Sequence, residues 1–358
     1  MKLLIAAGGT GGHIFPGIAV AHEILSREPD SEILFVGTAR GLETKLVPAN
    51  GFQLSLINSA GLKNVGFKER IRGLTILPKS LLEARQIIRQ FRPHVAVGAG
   101  GYVSGPVLLM AAIMGIPTLI MDSNALPGFT NRVLARFVDK AALTFEEATK
   151  YFGSKAVVTG NPVRQEFFDI KPHQRGERLR ILVFGGSQGS RAINNALAEA
   201  LPELAQLSNR LEIMHQTGEA DFERILEAYK QSGLEKWDVQ PFINNMPAAL
   251  DWADLAVCRA GATTCAELAA AGRAALMIPL PTAADDHQRR NAEAMQNAGA
   301  ARMILQSDLS GMALFHAIRD FIENPKQLDE MQLAARTLAK QDAAKRTADL
   351  IEELRRNV

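Results

Sequence analysis

Two segments in opposite halves of the chain follow one plan, and this constrains the fold more than any other feature. KLLIAAGGTGGH begins at Lys2 and RILVFGGSQGS begins at Arg180, each an apolar run, a Gly-Gly-hydroxyl-x-Gly turn and then a helical pattern. A repeat at about half the chain length predicts two similar Rossmann-like domains facing a cleft, rather than one sheet with an appendage. Short apolar runs alternate with helical patterns throughout: Leu3–Ala7, Ile33–Gly37, Val95–Gly98 and Thr118–Met121, then Ile181–Phe184, Ile213–His215, Leu255–Cys258 and Leu276–Ile278. Such alternation predicts an α/β chain with parallel sheets. At 358 residues the chain also exceeds what one core supports. The turn-rich, charged stretch after Gly160 marks a boundary, so residues 1–162 form one domain and 163–340 the other. The charged helix at about 341–358 can pack back on the first.

Charge and cysteine usage narrow the function. Lys plus Arg number 40 against 38 Asp plus Glu, a net +2 that lacks the global basic bias of a nucleic-acid binder. Cys258 and Cys265 have no Cys or His cluster around them, so neither a disulfide framework nor a zinc site is expected. The apolar start ends in glycines after about five residues, and no stretch reaches the roughly 18 apolar residues of a membrane span. A reducing, cytosolic setting is expected, with any membrane contact peripheral.

The first glycine turn, Gly8-Gly9-Thr10-Gly11-Gly12-His13, holds four glycines among five residues, more than a tight βα turn needs. Glycines there let backbone N–H groups approach an anionic or hydroxyl-rich ligand at a helix start. The turn is not GxGxxG, and Val36-Gly37-Thr38 stands where a dinucleotide binder has its ribose acid, which argues against an NAD enzyme. GxxxxGK[ST] is absent as well. A second loop, Gly98 to Pro106, follows the strand at Val95 and points to one ligand across the carboxyl edge of that sheet.

In the second half, Gly185-Gly186-Ser187-Gln188-Gly189 fits both a phosphate cradle and the G-x-S-x-G elbow of a serine hydrolase, with Asp254 or Asp285 and His287 or His316 downstream. No HGGG-type oxyanion segment accompanies it. Arg259 to Glu267 follows the strand at Leu255. Its helix start suits a diphosphate with Glu267 on ribose hydroxyls, while Thr264-x-x-Glu267 also reads as a capping box. Asp285-Asp286-His287-Gln288 and Asn291 gather polar groups at another helix start.

The charge balance breaks in one segment. Gly61–Arg92 has eight basic residues against Glu69 and Glu83, a surplus of six, with Leu77, Leu81, Ala84, Ile88 and Phe91 at helical spacing between the basic faces. This suits either a core-facing helix with solvated cations or a helix lying on anionic lipid.

Taken together, GGTGGHIFPG at Gly8, GAGGYVSGP at Gly98, TGNPVR at Thr159, GGSQGS at Gly185, CRAGATTCAE at Cys258 and DHQxxNA at Asp286 resemble the MurG family over essentially the whole chain. The resemblance implies a GT-B glycosyltransferase that moves GlcNAc from UDP-GlcNAc to the MurNAc 4-hydroxyl of undecaprenyl-linked lipid I. The anomeric centre inverts, and lipid II forms for peptidoglycan synthesis. It places the enzyme peripherally on the cytoplasmic face of the bacterial inner membrane, without a cofactor. Thr10, Gly11, Gly12, Arg164, Ser187, Ile243, Thr263, Thr264, Glu267, Gln288 and Asn291 would serve UDP-GlcNAc, with Ile243 presenting backbone to uracil, Glu267 binding ribose, and Gln288 and Asn291 orienting the sugar. Gly100, Gly101, Tyr102 and Asn124 would serve the acceptor. Lys68, Arg72, Lys79, Leu81, Arg85, Ile88 and Arg89 would meet the anionic leaflet. The base must lie on the acceptor side, which leaves His13 and Asp122. Where the family has an HEQN segment this chain reads Met121-Asp122-Ser123-Asn124, so its carboxylate is one methylene shorter. No Asp-x-Asp occurs, so a metal-clamped sugar nucleotide is not expected, and leaving-group charge falls to Arg164 and helix N-termini.

Overall fold

The apolar runs become strands whose pairings are all parallel. A computed structural model describes residues 1–39, 41–59, 67–124, 126–172, 176–283 and 286–356, with 67–75 as backbone only. In chain order come β1 (Lys2–Ala7), α1 (Gly11–Arg27), β2 (Glu32–Gly37), α2 (Glu43–Ala49), β3 (Gln53–Leu56) and α3 (Phe67–Phe91). Then follow β4 (Val95–Gly100), α4 (Ser104–Ile113), β5 (Thr118–Asp122), α5 (Phe129–Leu134), β6 (Lys140–Leu143) and β7 (Ala156–Val158). Among the described residues these strands form a seven-stranded sheet in the order β3-β2-β1-β4-β5-β6-β7. The reversal between β1 and β4 is the switch point at which open parallel sheets bind ligands.

The second run holds α6 (Gln165–Phe168), β8 (Leu179–Phe184), α7 (Arg191–Ala205), β9 (Leu211–Gln216), α8 (Phe222–Gln231), β10 (Trp237–Gln240) and α9 (Met246–Trp252). It continues through β11 (Leu255–Cys258), α10 (Ala262–Ala271), β12 (Ala274–Met277), α11 (His287–Asn297), β13 (Ala301–Met303), α12 (Gly311–Glu323) and α13 (Pro325–Thr337). Its six strands are ordered β10-β9-β8-β11-β12-β13, the same winding with one strand fewer, among the described residues. The chain ends in α14 (Ala343–Arg356). Two units result: Met1–Arg164 joined by Lys340–Val358, and Gln165–Ala339.

Helices cover both faces of the first sheet, which is why its central strands are continuously apolar. On one face α1 and α14 pack over Leu3, Ile5, Val95 and Val97, with Ala348, Ile351 and Leu354 supplied by α14. On the other, α3, α4 and α5 pack over Leu4, Ala6, Ala96 and Ile120. Ala84 and Ile88 are both 1% exposed on the sheet side of α3. Ile88 therefore belongs to the core, which corrects the expectation that it meets lipid. Lys79, Arg85 and Arg89 are exposed and Leu81 half-buried, while residues 61–66 and the side chains of Lys68 and Arg72 lie outside the described residues.

Candidate active site

In the first unit the predicted residues gather at the carboxyl ends of β1, β4 and β5. Thr10 is the N-cap residue of α1 but makes no side-chain cap, so its hydroxyl is not spent on the helix. The first glycine turn is gripped from behind by Glu43, a fully buried carboxylate at the start of α2. One oxygen accepts the Gly9 N–H at 2.9 Å, and the other accepts the Thr38 N–H at 2.7 Å and hydroxyl at 2.8 Å. An acid does arrive at the end of β2, but from the next helix, turned inward on the loop.

His13 is half-buried, with Nδ1 3.2 Å from the Gly8 carbonyl oxygen. A carbonyl only accepts, so in the neutral ring Nδ1 carries the proton and Nε2 the lone pair. The second loop closes on this ring. Gly100 has φ +120°, and a Cβ there would strike the imidazole; one at Gly101, φ +81°, would strike the Gly8 backbone. Asp122 ends β5 and accepts the N–H of Asn124 at 2.9 Å, that of Gly128 at 3.1 Å and the Asn131 amide at 2.8 Å. Burial pushes its carboxyl above the ordinary range, against those three hydrogen bonds and the charge on His13. Asn124 sits beside it, half-buried, and Tyr102 is exposed. Arg164, placed by sequence in the second domain, belongs to the first unit, where its guanidinium lies 4.5 Å from the Phe15 ring centre. Such a stack is a cation–π contact.

In the second unit Ser187 lies half-exposed in the turn after β8. Helix α10 begins at Ala262 with Gly261 as N-cap and no side-chain cap. Thr264 and Glu267 are thus inside the helix, one turn apart, and form no capping box; Thr263, Thr264 and Glu267 are all half-exposed there. Ile243 gives its N–H to Gln216 Oε1 at 2.8 Å. Gln288 Oε1 accepts the Leu280 N–H at 3.1 Å, and the Asn291 amide donates to the Ala260 carbonyl at 3.0 Å. Both therefore brace the loops after β11 and β12. Arg259 spans the same region, donating to the carbonyls of Ile278 and Pro279 and to Gln306 Oε1 at 3.0, 3.2 and 2.7 Å.

Glu43, Phe15 and Gln216 escaped the sequence reading because each acts on a loop distant in sequence. The hydrolase alternative loses one of its two candidate acids on geometry. Asp254 opens β11 and accepts the Arg180 N–H at 2.9 Å, at the amino edge of the sheet, whereas Ser187 lies past its carboxyl edge. Asp285 lies outside the described residues.

Two doubly wound units, each opening on a glycine turn and a helix start at its sheet's carboxyl edge, have the GT-B architecture, and the family matches make the chain a glycosyltransferase of that class. Residues 3–143 match the glycosyltransferase family 28 N-terminal domain and residues 180–347 the glycosyltransferase family 28 C-terminal domain. The chain is 48% identical, over 99% of its length and 93% of the relative's, to the UDP-N-acetylglucosamine--N-acetylmuramyl-(pentapeptide) pyrophosphoryl-undecaprenol N-acetylglucosamine transferase of Anaeromyxobacter sp. (strain Fw109-5). It is 46% identical to the transferase of the same name from Myxococcus xanthus, over 99% of this chain and 93% of that one. The crystal structure of Acinetobacter baumannii MurG superimposes with a TM-score of 0.76 at 33% identity, covering 98% of this chain and 99% of that one. The chain belongs to the MurG family of N-acetylglucosamine transferases.

Proposed function

We propose that this chain transfers N-acetylglucosamine from UDP-GlcNAc to the MurNAc 4-hydroxyl of undecaprenyl-pyrophosphoryl-MurNAc-pentapeptide, inverting the anomeric centre and giving lipid II for peptidoglycan synthesis. The observation that carries this reading is the full-length similarity to transferases named for that donor and that lipid-linked acceptor. The test is incubation with UDP-GlcNAc and a short-chain lipid I analogue: UDP release should require the acceptor. Acceptor-independent hydrolysis would overturn the reading.

His13 serves as the general base. Its Nε2 lone pair takes the acceptor hydroxyl proton, while the Nδ1–H donated to the Gly8 carbonyl fixes the tautomer. Asp122 supports it, since its two oxygens already accept N–H groups of Asn124, Gly128 and Asn131 and its negative charge favours the imidazolium that forms. Gly100 and Gly101 shape the acceptor side, with Tyr102 and Asn124 beside them. Ser187, Thr263, Thr264 and the α10 start receive the diphosphate, and helix-start amides stabilise the departing UDP. Glu267 takes the ribose hydroxyls, Ile243 faces the base, and Gln288 and Asn291 face the sugar. His13→Ala should lower kcat by about 10²–10⁴ and spare UDP affinity, and Asp122→Asn should do less. Near-normal kcat with a raised KM would refute the assignment.

The same reading places the enzyme on the cytoplasmic face of the bacterial inner membrane. Among the described residues no helix is long and apolar enough to cross a membrane. What supports peripheral docking is the outer side of the α3, α4 and α5 layer, where exposed Lys79, Arg85 and Arg89 accompany Leu82, 64% exposed, and Phe137, 53% exposed.

A further inference from the structure

Strand β9 runs between β8 and β10, and its last residue touches the loops beyond both. Gln216 is 2% exposed. Its Nε2 donates to the Gly186 carbonyl at 2.8 Å, and its Oε1 accepts the Ile243 N–H at 2.8 Å. One side-chain amide thus spans from the glycine turn after β8 to the backbone after β10. The surrounding backbone is interlocked. A Cβ at Gly189 would penetrate the Thr217 carbonyl, and one at Gly218 would penetrate that of Gln188. Thr217 and Gly218 in turn donate to the carbonyls of Gln240 and Pro241 at 3.0 and 3.1 Å.

We propose that Gln216 is a positioning residue of the donor site, whose amide holds the diphosphate turn Gly185–Gly189 at a set spacing from the Ile243 backbone that faces the base. This rests on the reading that the second unit binds UDP. A side chain serving only the core would need no polar ends here. Gln216 instead pairs one backbone donor and one backbone acceptor from the two segments that must grip opposite ends of the same nucleotide. If the spacing loosens, each segment can still form its own contacts, but no longer both at once without an ordering cost.

The test is equilibrium binding of UDP and uridine, with steady-state kinetics, on full-length variants. Gln216→Met keeps the volume and removes both hydrogen bonds. Gln216→Glu keeps an acceptor for Ile243 and removes the donor to Gly186. Gln216→Glu should bind UDP about tenfold more weakly, the size of one lost hydrogen bond, and Gln216→Met at least as weakly; both should raise KM for UDP-GlcNAc, with kcat at saturating donor and KM for the acceptor unchanged. Uridine, lacking the diphosphate, should be weakened by Gln216→Met and retained by Gln216→Glu. Folded variants with wild-type UDP affinity, or with kcat lowered and KM unchanged, overturn the role. If Gln216→Met does not fold, Gln216→Glu decides alone, and equal loss of UDP and uridine overturns it. Failure of the underlying reading looks different: Ser187→Ala and Glu267→Gln would then leave wild-type UDP affinity unmoved, removing the site and Gln216's role with it.

Discussion

His215 is a fully buried histidine with both ring nitrogens engaged: Nε2 lies 3.1 Å from Asn194 Oδ1, and Nδ1 lies 3.3 Å from the Tyr229 hydroxyl. Burial pushes it down to about 3, opposed by the nearby Asp221 carboxylate, which is itself tied to Arg224. The folded state therefore refuses a proton that the unfolded chain accepts below about pH 6.5. The stability this contributes is present above pH 6.5 and lost as pH falls toward 3, reaching about 2 kcal/mol by pH 5. Urea unfolding at pH 7 and pH 5 should show that difference in wild type, and His215→Gln should shrink it whatever its absolute stability. Glu267 supplies a second residue-level expectation. Because it makes no capping box in α10, Glu267→Gln should leave the melting temperature near wild type and weaken UDP about tenfold, as loss of a charge-assisted hydrogen bond would. Calorimetry alongside titration separates the two effects, and a melting temperature several degrees lower with normal UDP affinity would restore the cap.

At the scale of elements, legibility followed burial. The central strands β1, β2, β4, β5, β8, β9, β11 and β12 were readable as apolar runs because they lie inside the sheets with most of their side chains buried. Strands β3, β7, β10 and β13 were missed; they lie at sheet edges, three or four residues long and partly exposed, so Gln53, Asp238 and Arg302 look like loop residues. Inner β6, Lys140-Ala141-Ala142-Leu143, was missed because it holds a single large apolar side chain and does not stand out as an apolar run. The glycine turns of the site could be read because their chemistry is local. Glu43 and Gln216 could not, since only the fold brings them to Gly9 and Gly186. Helix α3 shows the same limit, as its periodicity was clear while the direction of its apolar side was not. Ile88→Ser should cost about 3 kcal/mol as a core substitution. Phe137→Ser should stay within about 0.5 kcal/mol of wild type, yet lower binding to vesicles of anionic lipid, as should Arg85→Glu with Arg89→Glu. Vesicle binding unchanged in both surface variants would move the docking surface elsewhere.

Across the whole molecule the chain changes unit twice, after Arg164 and after Ala339, so the second unit is continuous and the first is not. The fragment 165–339 should therefore fold alone and bind UDP, whereas a chain ending at residue 339 should leave the first unit's sheet partly open beside α1, over β4, β5 and β6. Limited proteolysis of that truncated chain should spare 165–339 and degrade the rest; equal protection of both would show α14 to be dispensable. Ala348, Ile351 and Leu354 fill the core beneath α1, and Arg27 reaches Asp349 at 2.7 Å and Glu352 at 3.1 Å. On the ribosome, domains ordinarily fold in the order in which they are made. Here the residues that close the amino-terminal core are translated only after the whole second unit. The half synthesised first must wait, the side of its sheet beside α1 still partly uncovered, while the half synthesised second completes its own fold ahead of it.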